Sequence, residues 1–239
     1  MVKGRRWTAL RFCWMSILVT VVFSPRIRAD DNTILLLHFD EGSGAVAKDS
    51  SKSSFSGLIT GAKWVEGKFG KALQFNGDDD FVDLGDNAAF SFGENTDFTV
   101  ECWINVPTGI ARGFYNIITK KLRGDATEPG FAILVDRAFC VRVGIADGFN
   151  FVGLASPKPV NDAQWHHIAL TADRDGEAIL YFDGVAEQKA SMREIIDISN
   201  SYRNLRIGDR AHDGDFIGMI DEVRISKCVK TEFSLSKGY

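Results

Sequence analysis

The chain has little of several things that commonly organise a fold. Of its 239 residues, four are cysteine and five are proline. Cys13 sits in the basic and apolar start of the chain, which leaves Cys102, Cys140 and Cys228 for the rest. An odd set of three permits one internal disulfide at most, so no cysteine framework carries the structure, and no Cys/His spacing suits zinc. Cys102 alternates with Phe98, Val100 and Ile104 and reads as an inert, buried thiol. Sustained helical periodicity is missing; only Met192–Ile198 and the tail around Glu232–Leu235 offer a turn or two. The longest apolar run, Phe12 to Phe23, holds about a dozen residues against the roughly 20 that span a bilayer. Neither a Gly-rich phosphate loop nor a serine or cysteine nucleophile motif is found.

What is present begins with a leader. Lys3, Arg5 and Arg6 precede the apolar run, and Ala29 offers a small residue for cleavage before Asp30. Residues 1–29 are expected to be a secretory signal, with retention as an anchor the alternative, and residues 30–239 one domain. The leader carries six Lys and Arg and no acid, so its removal leaves 22 basic against 32 acidic side chains, a formal charge of −10. Such a surface argues against nucleic acid or an anionic membrane as main partner and favours divalent cations. The expected location is secreted, extracellular or at the cell surface, without membrane insertion after cleavage.

Short β-branched and aromatic runs separated by Gly, Asp, Asn and Ser predict many strands. The candidates are 34–40, 71–75, 81–84, 98–106, 115–120, 130–135, 139–145, 149–154, 165–173, 177–182, 204–207 and 216–225. Asp175-Gly176 and Asp183-Gly184 suit the positive φ of tight hairpin turns, which predicts consecutive antiparallel strands. Within 216–225, alternation places Asp221 with Ile217, Met219, Val223 and Ile225 on one apolar face. A carboxylate there needs an Arg or Lys, a set of backbone N–H groups, or a metal ion.

Several segments together resemble one family: Leu37-His38-Phe39-Asp40-Glu41-Gly42-Ser43-Gly44, Asp49-Ser50-Ser51, Gly67 to Gly77, Phe98 to Ile104, Trp165-His166-His167-Ile168-Ala169, Tyr181-Phe182-Asp183-Gly184 and Gly218 to Ile225. Their order is that of the LamG-like, concanavalin A-like jelly rolls. The resemblance implies an all-β, two-sheet antiparallel jelly-roll sandwich that binds carbohydrate or extracellular protein. It also implies a structural Ca2+, held by Asp40, Asp221 and the Asn76-Gly77 turn. Calcium takes six to eight oxygen ligands, which suits strand ends and a Gly turn. Asp78-Asp79-Asp80 is expected to be an exposed acidic turn, with Asp80 near the ion, and Asp49 a turn residue bonding its own backbone.

Some relatives of this fold are glycoside hydrolases, whose carboxylates occupy one strand as Glu-x-Asp-x-x-Glu. The nearest string, Glu194-Ile195-Ile196-Asp197, puts its carboxylates on opposite faces of an extended strand, so no enzyme activity is expected. His166 and His167 are adjacent and would face apart, which excludes a shared ion. The reading is a non-catalytic recognition module using the concave sheet or rim loops, with Trp103, Tyr115, Arg123, Arg137 and Arg142 as ligand contacts. The alternatives are a self-associating adhesive protein and, further off, a divergent glycoside hydrolase.

Overall fold

The computed structural model describes residues 28–121, 127–200, 202–209, 215–233 and 235. In chain order the strands are β1 (Thr33–Leu37), β2 (Val46–Lys48), β3 (Ser56–Thr60), β4 (Lys63–Glu66), β5 (Lys71–Asn76), β6 (Phe81–Asp83), β7 (Phe98–Asn105) and β8 (Tyr115–Thr119). They continue as β9 (Gly130–Val135), β10 (Cys140–Ala146), β11 (Phe151–Pro159), β12 (Trp165–Ala172), β13 (Glu177–Phe182), β14 (Val185–Ser191), β15 (Arg206–Ile207) and β16 (Ile217–Ser226). One sheet runs β14-β13-β12-β7-β16-β5-β4, with β1 also paired to β16; the other runs β11-β10-β9-β8-β15-β6-β3-β2. Every pairing is antiparallel. The expected two-sheet sandwich is therefore the architecture, and each of the twelve expected strands lies within or overlaps an observed one.

The two sheets enclose one core. Phe98, Val100, Cys102 and Ile104 of β7 face Ile118, Ile133, Val143 and Ile207 of the second sheet, all buried. Phe92 stacks on Phe98 at 4.3 Å and Phe131 closes on Phe98 at 5.7 Å, fixing the middle of the sandwich. Burial raises the Cys102 thiol far above its ordinary range, consistent with an inert core side chain. Cys140 and Cys228 are also free thiols. The turn Asp183-Gly184 has positive φ at both residues, 47° and 77°, as a tight hairpin between β13 and β14 requires.

Strands β2, β3, β4 and β14 were not among the expected ranges, because they bury so little, although the Asp183-Gly184 turn called for a strand after it. In β3 only Gly57 and Ile59 face inward, and Leu58 is exposed. Neither helical expectation holds: residues 192–198 lack helix, and around residues 232–235 the described residues carry none. Among the described residues the only helical turn is Ala88–Phe90, a 3-10 turn started by the Asn87 side chain accepting from the Ala89 N–H.

The expected face of β16 needs correcting. Asp221 pairs with Trp103 but Arg224 with Glu101, so β16 carries one extra residue there, and Glu222 takes φ of 50°. This bulge reverses the alternation. Ile220, Val223 and Ile225 point into the core, whereas Asp221 leaves it for the outer face with Met219 and Arg224. Asp221 is still fully buried, because a loop roofs it from outside the sheet.

Asp49 ties the first loop to β1. Its carboxylate accepts from Leu36 N (2.8 Å), Ser51 N (2.8 Å) and Phe55 N (3.0 Å). The Ser51 bond is the expected turn onto its own backbone; the Leu36 bond reaches thirteen residues back. Asp49→Ala strands these donors and is expected to cost about 2–4 kcal/mol by urea denaturation, with the sandwich still formed by circular dichroism.

Candidate functional site

The outer face of the first sheet is a grid of side chains set by strand register. Across β16, β7 and β12 its rows are Ser226–Thr99–Thr171, Arg224–Glu101–Ala169, Asp221–Trp103–His167 and Met219–Asn105–Trp165. The last row extends through Gln74 of β5 to Lys63 of β4. Three rows are covered, and the fourth opens into a cavity.

The cover over the third row is the turn between β4 and β5. Asp221 Oδ2 accepts from Phe69 N at 3.0 Å and Oδ1 from Glu222 N at 2.8 Å. Asp40 Oδ1 grips the far end of the same turn through Lys71 N, 2.9 Å. Gly67 has to be glycine, since a Cβ would lie 2.5 Å from Lys71 O and 2.7 Å from Asp221 Oδ2. The turn lays Lys68 Nζ over the Trp103 ring at 4.1 Å and Phe69 against it at 5.8 Å.

These contacts test the expected calcium set. Asp40 and Asp221 do flank one turn, but Asn76 pairs with Ile217, four residues along β16 from Asp221 and thus about 13 Å away. The Asn76-Gly77 turn is therefore not part of that site. Each Asp221 oxygen also accepts a backbone N–H, from Phe69 and from Glu222. The four residues do not fit one calcium cage. Of the three partners open to a buried Asp221, backbone N–H groups are the ones found.

The expected ligand contacts scatter. Trp103 is 3% exposed and packs between Lys68, Phe69 and His167. Tyr115 belongs to the core, and burial raises its phenol. Both are structural where surface contacts were expected, because their strands are covered on the faces they occupy. Arg142 lies on the second sheet, bonded to Asp136 at 2.7 Å, and Arg137 lies over the Phe114 ring at 5.1 Å. Arg123 is outside the described residues. His166 and His167 face apart as expected: His166 bonds Asp183 at 2.9 Å, and His167 bonds Glu101 at 2.9 Å. Glu194 and Asp197 occupy an irregular segment, where the buried Arg174 donates to Ile195 O and Ile196 O.

The open row is a different matter. A cavity of about 270 Å³ is lined by Lys63, Gln74, Asn76, Asp80 and Asn105 around an apolar floor of Ile217 and Met219. That is near the lower end of ligand pockets, about 300–1,000 Å³. Asp80, expected in an exposed turn, is 2% exposed; its Oδ2 accepts from Asn76 N at 2.8 Å. Its Oδ1 rests on Gly61, where a Cβ would come within 1.9 Å. Asn105 is 8% exposed and donates one amide N–H to Ala163 O at 3.1 Å. Asn105 continues the mixed face of Trp103 in the sequence, which was a usable signal. The convergence of Lys63, Gln74 and Met219 on it depends on register between distant strands, which no local pattern records.

Across residues 76–234 the sequence fits the Laminin_G_3 model of the concanavalin A-like lectin/glucanases superfamily. The chain belongs to this family. Its fold matches the binding domain of Paraclostridial Mosquitocidal Protein 1, with TM-score 0.68 and 18% identity, over 84% of this chain and 50% of that one. Domain 4 of AbnA, a GH43 extracellular arabinanase from Geobacillus stearothermophilus, solved with arabinotriose, matches with TM-score 0.64 and 19% identity, over 83% of this chain and 93% of that domain. The botulinum neurotoxin serotype D ligand binding domain, solved with N-acetylneuraminic acid, matches with TM-score 0.63 and 14% identity, over 84% of this chain and 48% of that one. This chain thus spans about half the length of the toxin domains it matches. No curated protein sequence matches it. Among the described residues no helix is long and apolar enough to cross a membrane.

Burial, with the neighbouring Glu222 carboxylate adding to it, pushes Asp221 up to about 8 from an ordinary 3.8. The folded state keeps this proton between those values while the unfolded chain releases it, so stability falls as pH rises from about 4 to about 8. Asp221→Asn is expected to remove that slope in urea titrations run across the interval. Dialysis against a chelator is expected to leave the thermal midpoint where it was, read by calorimetry before and after.

Proposed function

We propose that this chain is a secreted, non-catalytic carbohydrate-binding module whose ligand seat is the cavity over Met219. One observation carries the reading: the polar residues Lys63, Gln74, Asn76, Asp80 and Asn105 line one cavity together with Ile217 and Met219. A sugar hydroxyl is both donor and acceptor, and so is an amide, so adjacent hydroxyls can be paired without stranding a buried group. The C–H face of the ring then rests on Met219 and Ile217. Domains of the same fold solved with arabinotriose and with N-acetylneuraminic acid support a sugar as the ligand class. The basic leader with its apolar run and Ala29, and the extracellular setting of the arabinanase domain, support export.

The lining supports the non-catalytic reading. A glycosidase sets two carboxyl groups about 5–9.5 Å apart across the scissile bond. Among the described residues Asp80 is the only acid in the lining, and its Oδ2 is committed to Asn76 N–H.

Asn105→Ala and Gln74→Ala each remove an amide at the surface of the cavity. Each is expected to weaken glycan binding about tenfold by isothermal calorimetry, the loss of about one hydrogen bond of ~1.4 kcal/mol. Release of reducing ends from the same glycans should be absent. Wild-type affinity in both variants would remove the cavity from consideration.

A further inference from the structure

The three covered rows of the grid pose a problem that the cavity does not solve. The inner faces of β7, β12 and β16 are apolar, as a buried surface should be, yet their outer faces are polar and almost as deeply buried. Glu101 and Thr171 are 1% exposed, and His167 and Ser226 are 0%. Glu101 binds His167 at 2.9 Å and pairs with Arg224. Four polar atoms on this face have no hydrogen-bond partner: His167 Nδ1, Thr171 Oγ1, Ser226 Oγ and Trp103 Nε1. Each such atom costs about 1–3 kcal/mol when shielded from water. A face meant only to be covered would be cheaper as Val, Leu or Ala.

Part of what covers it is the tail after β16, residues 227–233, which forms no strand. Among the described residues its ties are mostly made by side chains. Thr99 Oγ1 donates to Cys228 O at 2.7 Å and accepts from Lys230 N at 3.0 Å. Lys230 pairs with Asp30, and Lys227 N donates to Asn32 O at 2.9 Å. Phe233 ends the strap, its ring 5.1 Å from His167 and 5.0 Å from Tyr181. Tyr181 lies beside Ala169 on this same face. A segment held by side-chain contacts opens at lower free energy than the strands beneath it.

We propose that residues 227–233 are a displaceable strap over a second carbohydrate-binding surface, formed by Glu101, His167, Thr171, Tyr181, Arg224 and Ser226. The strap's Phe233 ring occupies the place of a sugar ring on Tyr181 and His167. The unpartnered hydroxyls and imidazole nitrogen are the donors and acceptors that sugar hydroxyls satisfy once the strap lifts. The surface occupies rows separate from the cavity over Met219, so the two sites stand or fall independently. With the strap down, the apparent affinity is reduced by the fraction of molecules that are open.

The test compares the full chain with a Lys230→Ala/Phe233→Ala variant on an immobilised glycan array that includes arabinotriose and N-acetylneuraminic acid. Diethyl pyrocarbonate labelling of His167, read by mass spectrometry, reports whether the face has opened. The expected result is His167 labelling in the variant, with glycans newly bound or bound at least tenfold more tightly. Adding Thr171→Val, which replaces an unpartnered hydroxyl by a methyl, should cancel that gain while leaving the labelling. If His167 becomes reactive and no glycan gains, the surface is not a binding site and the proposal is overturned. It is equally overturned if His167 stays protected, since the tail is then not the cover. Should the double variant fail to fold, Phe233→Ala alone, which keeps the Lys230–Asp30 pair and removes the ring over His167, is read by the same two measurements. Loss of binding in the Asn105 and Gln74 variants bears on the cavity alone, so the two readings fail separately.

Discussion

The pairing of β16 with β7, and the single extra residue that β16 carries within it, is the constraint on which the other features depend. Glu222 adopts a left-handed backbone conformation there and bonds His38 at 2.9 Å, which holds the bulge against the chain just after β1. By shifting the alternation, the bulge lets one strand serve two surfaces. Its second half sends Val223 and Ile225 to the core, and its outward side chains, Met219, Asp221 and Arg224, form one edge of the grid on the sheet's outer face.

That geometry makes the outer face of the first sheet the chemically rich part of the molecule. The core between the sheets is a layer of Phe, Val, Ile and Leu and has no polar role. The outer face instead collects Lys63, Gln74, Asn105, Glu101, His167, Arg224 and Asp221 in register. Two roofs divide it. The Gly67–Lys71 turn, gripped by Asp40 and Asp221, closes the middle, and the tail beyond Ser226 reaches across from the other end. The open row at Met219 is where neither roof reaches.

Asp221 shows how one buried carboxylate can be accommodated in several ways. Sequence logic alone allows a basic partner, an ion or N–H groups. The turn that brings Phe69 N and the adjacent Glu222 N to its oxygens supplies the third, while burial raises its affinity for a proton against the pull of those N–H groups. The same loop explains why Trp103 is a packing residue: Lys68 and Phe69 lie where a ligand would have to approach.

Much of this was legible from local pattern. Period-two alternation located the principal strands, the Asp-Gly pairs located the β12–β14 hairpins, and the ordered segments placed the chain among the LamG-like sandwiches, because these are properties of neighbouring residues. The divergence of His166 from His167 was legible for the same reason. Tertiary contact decided everything that depends on which distant strands meet. A one-residue bulge inverted the face of Asp221, and a turn some 150 residues upstream brought a backbone N–H to its carboxylate. Trp103 and Tyr115 went to packing, and Lys63, Gln74, Asp80, Asn105 and Met219 came together instead. Periodicity states which side of a strand a residue occupies; only the finished packing states what covers that side, and burial and accessibility follow from the cover.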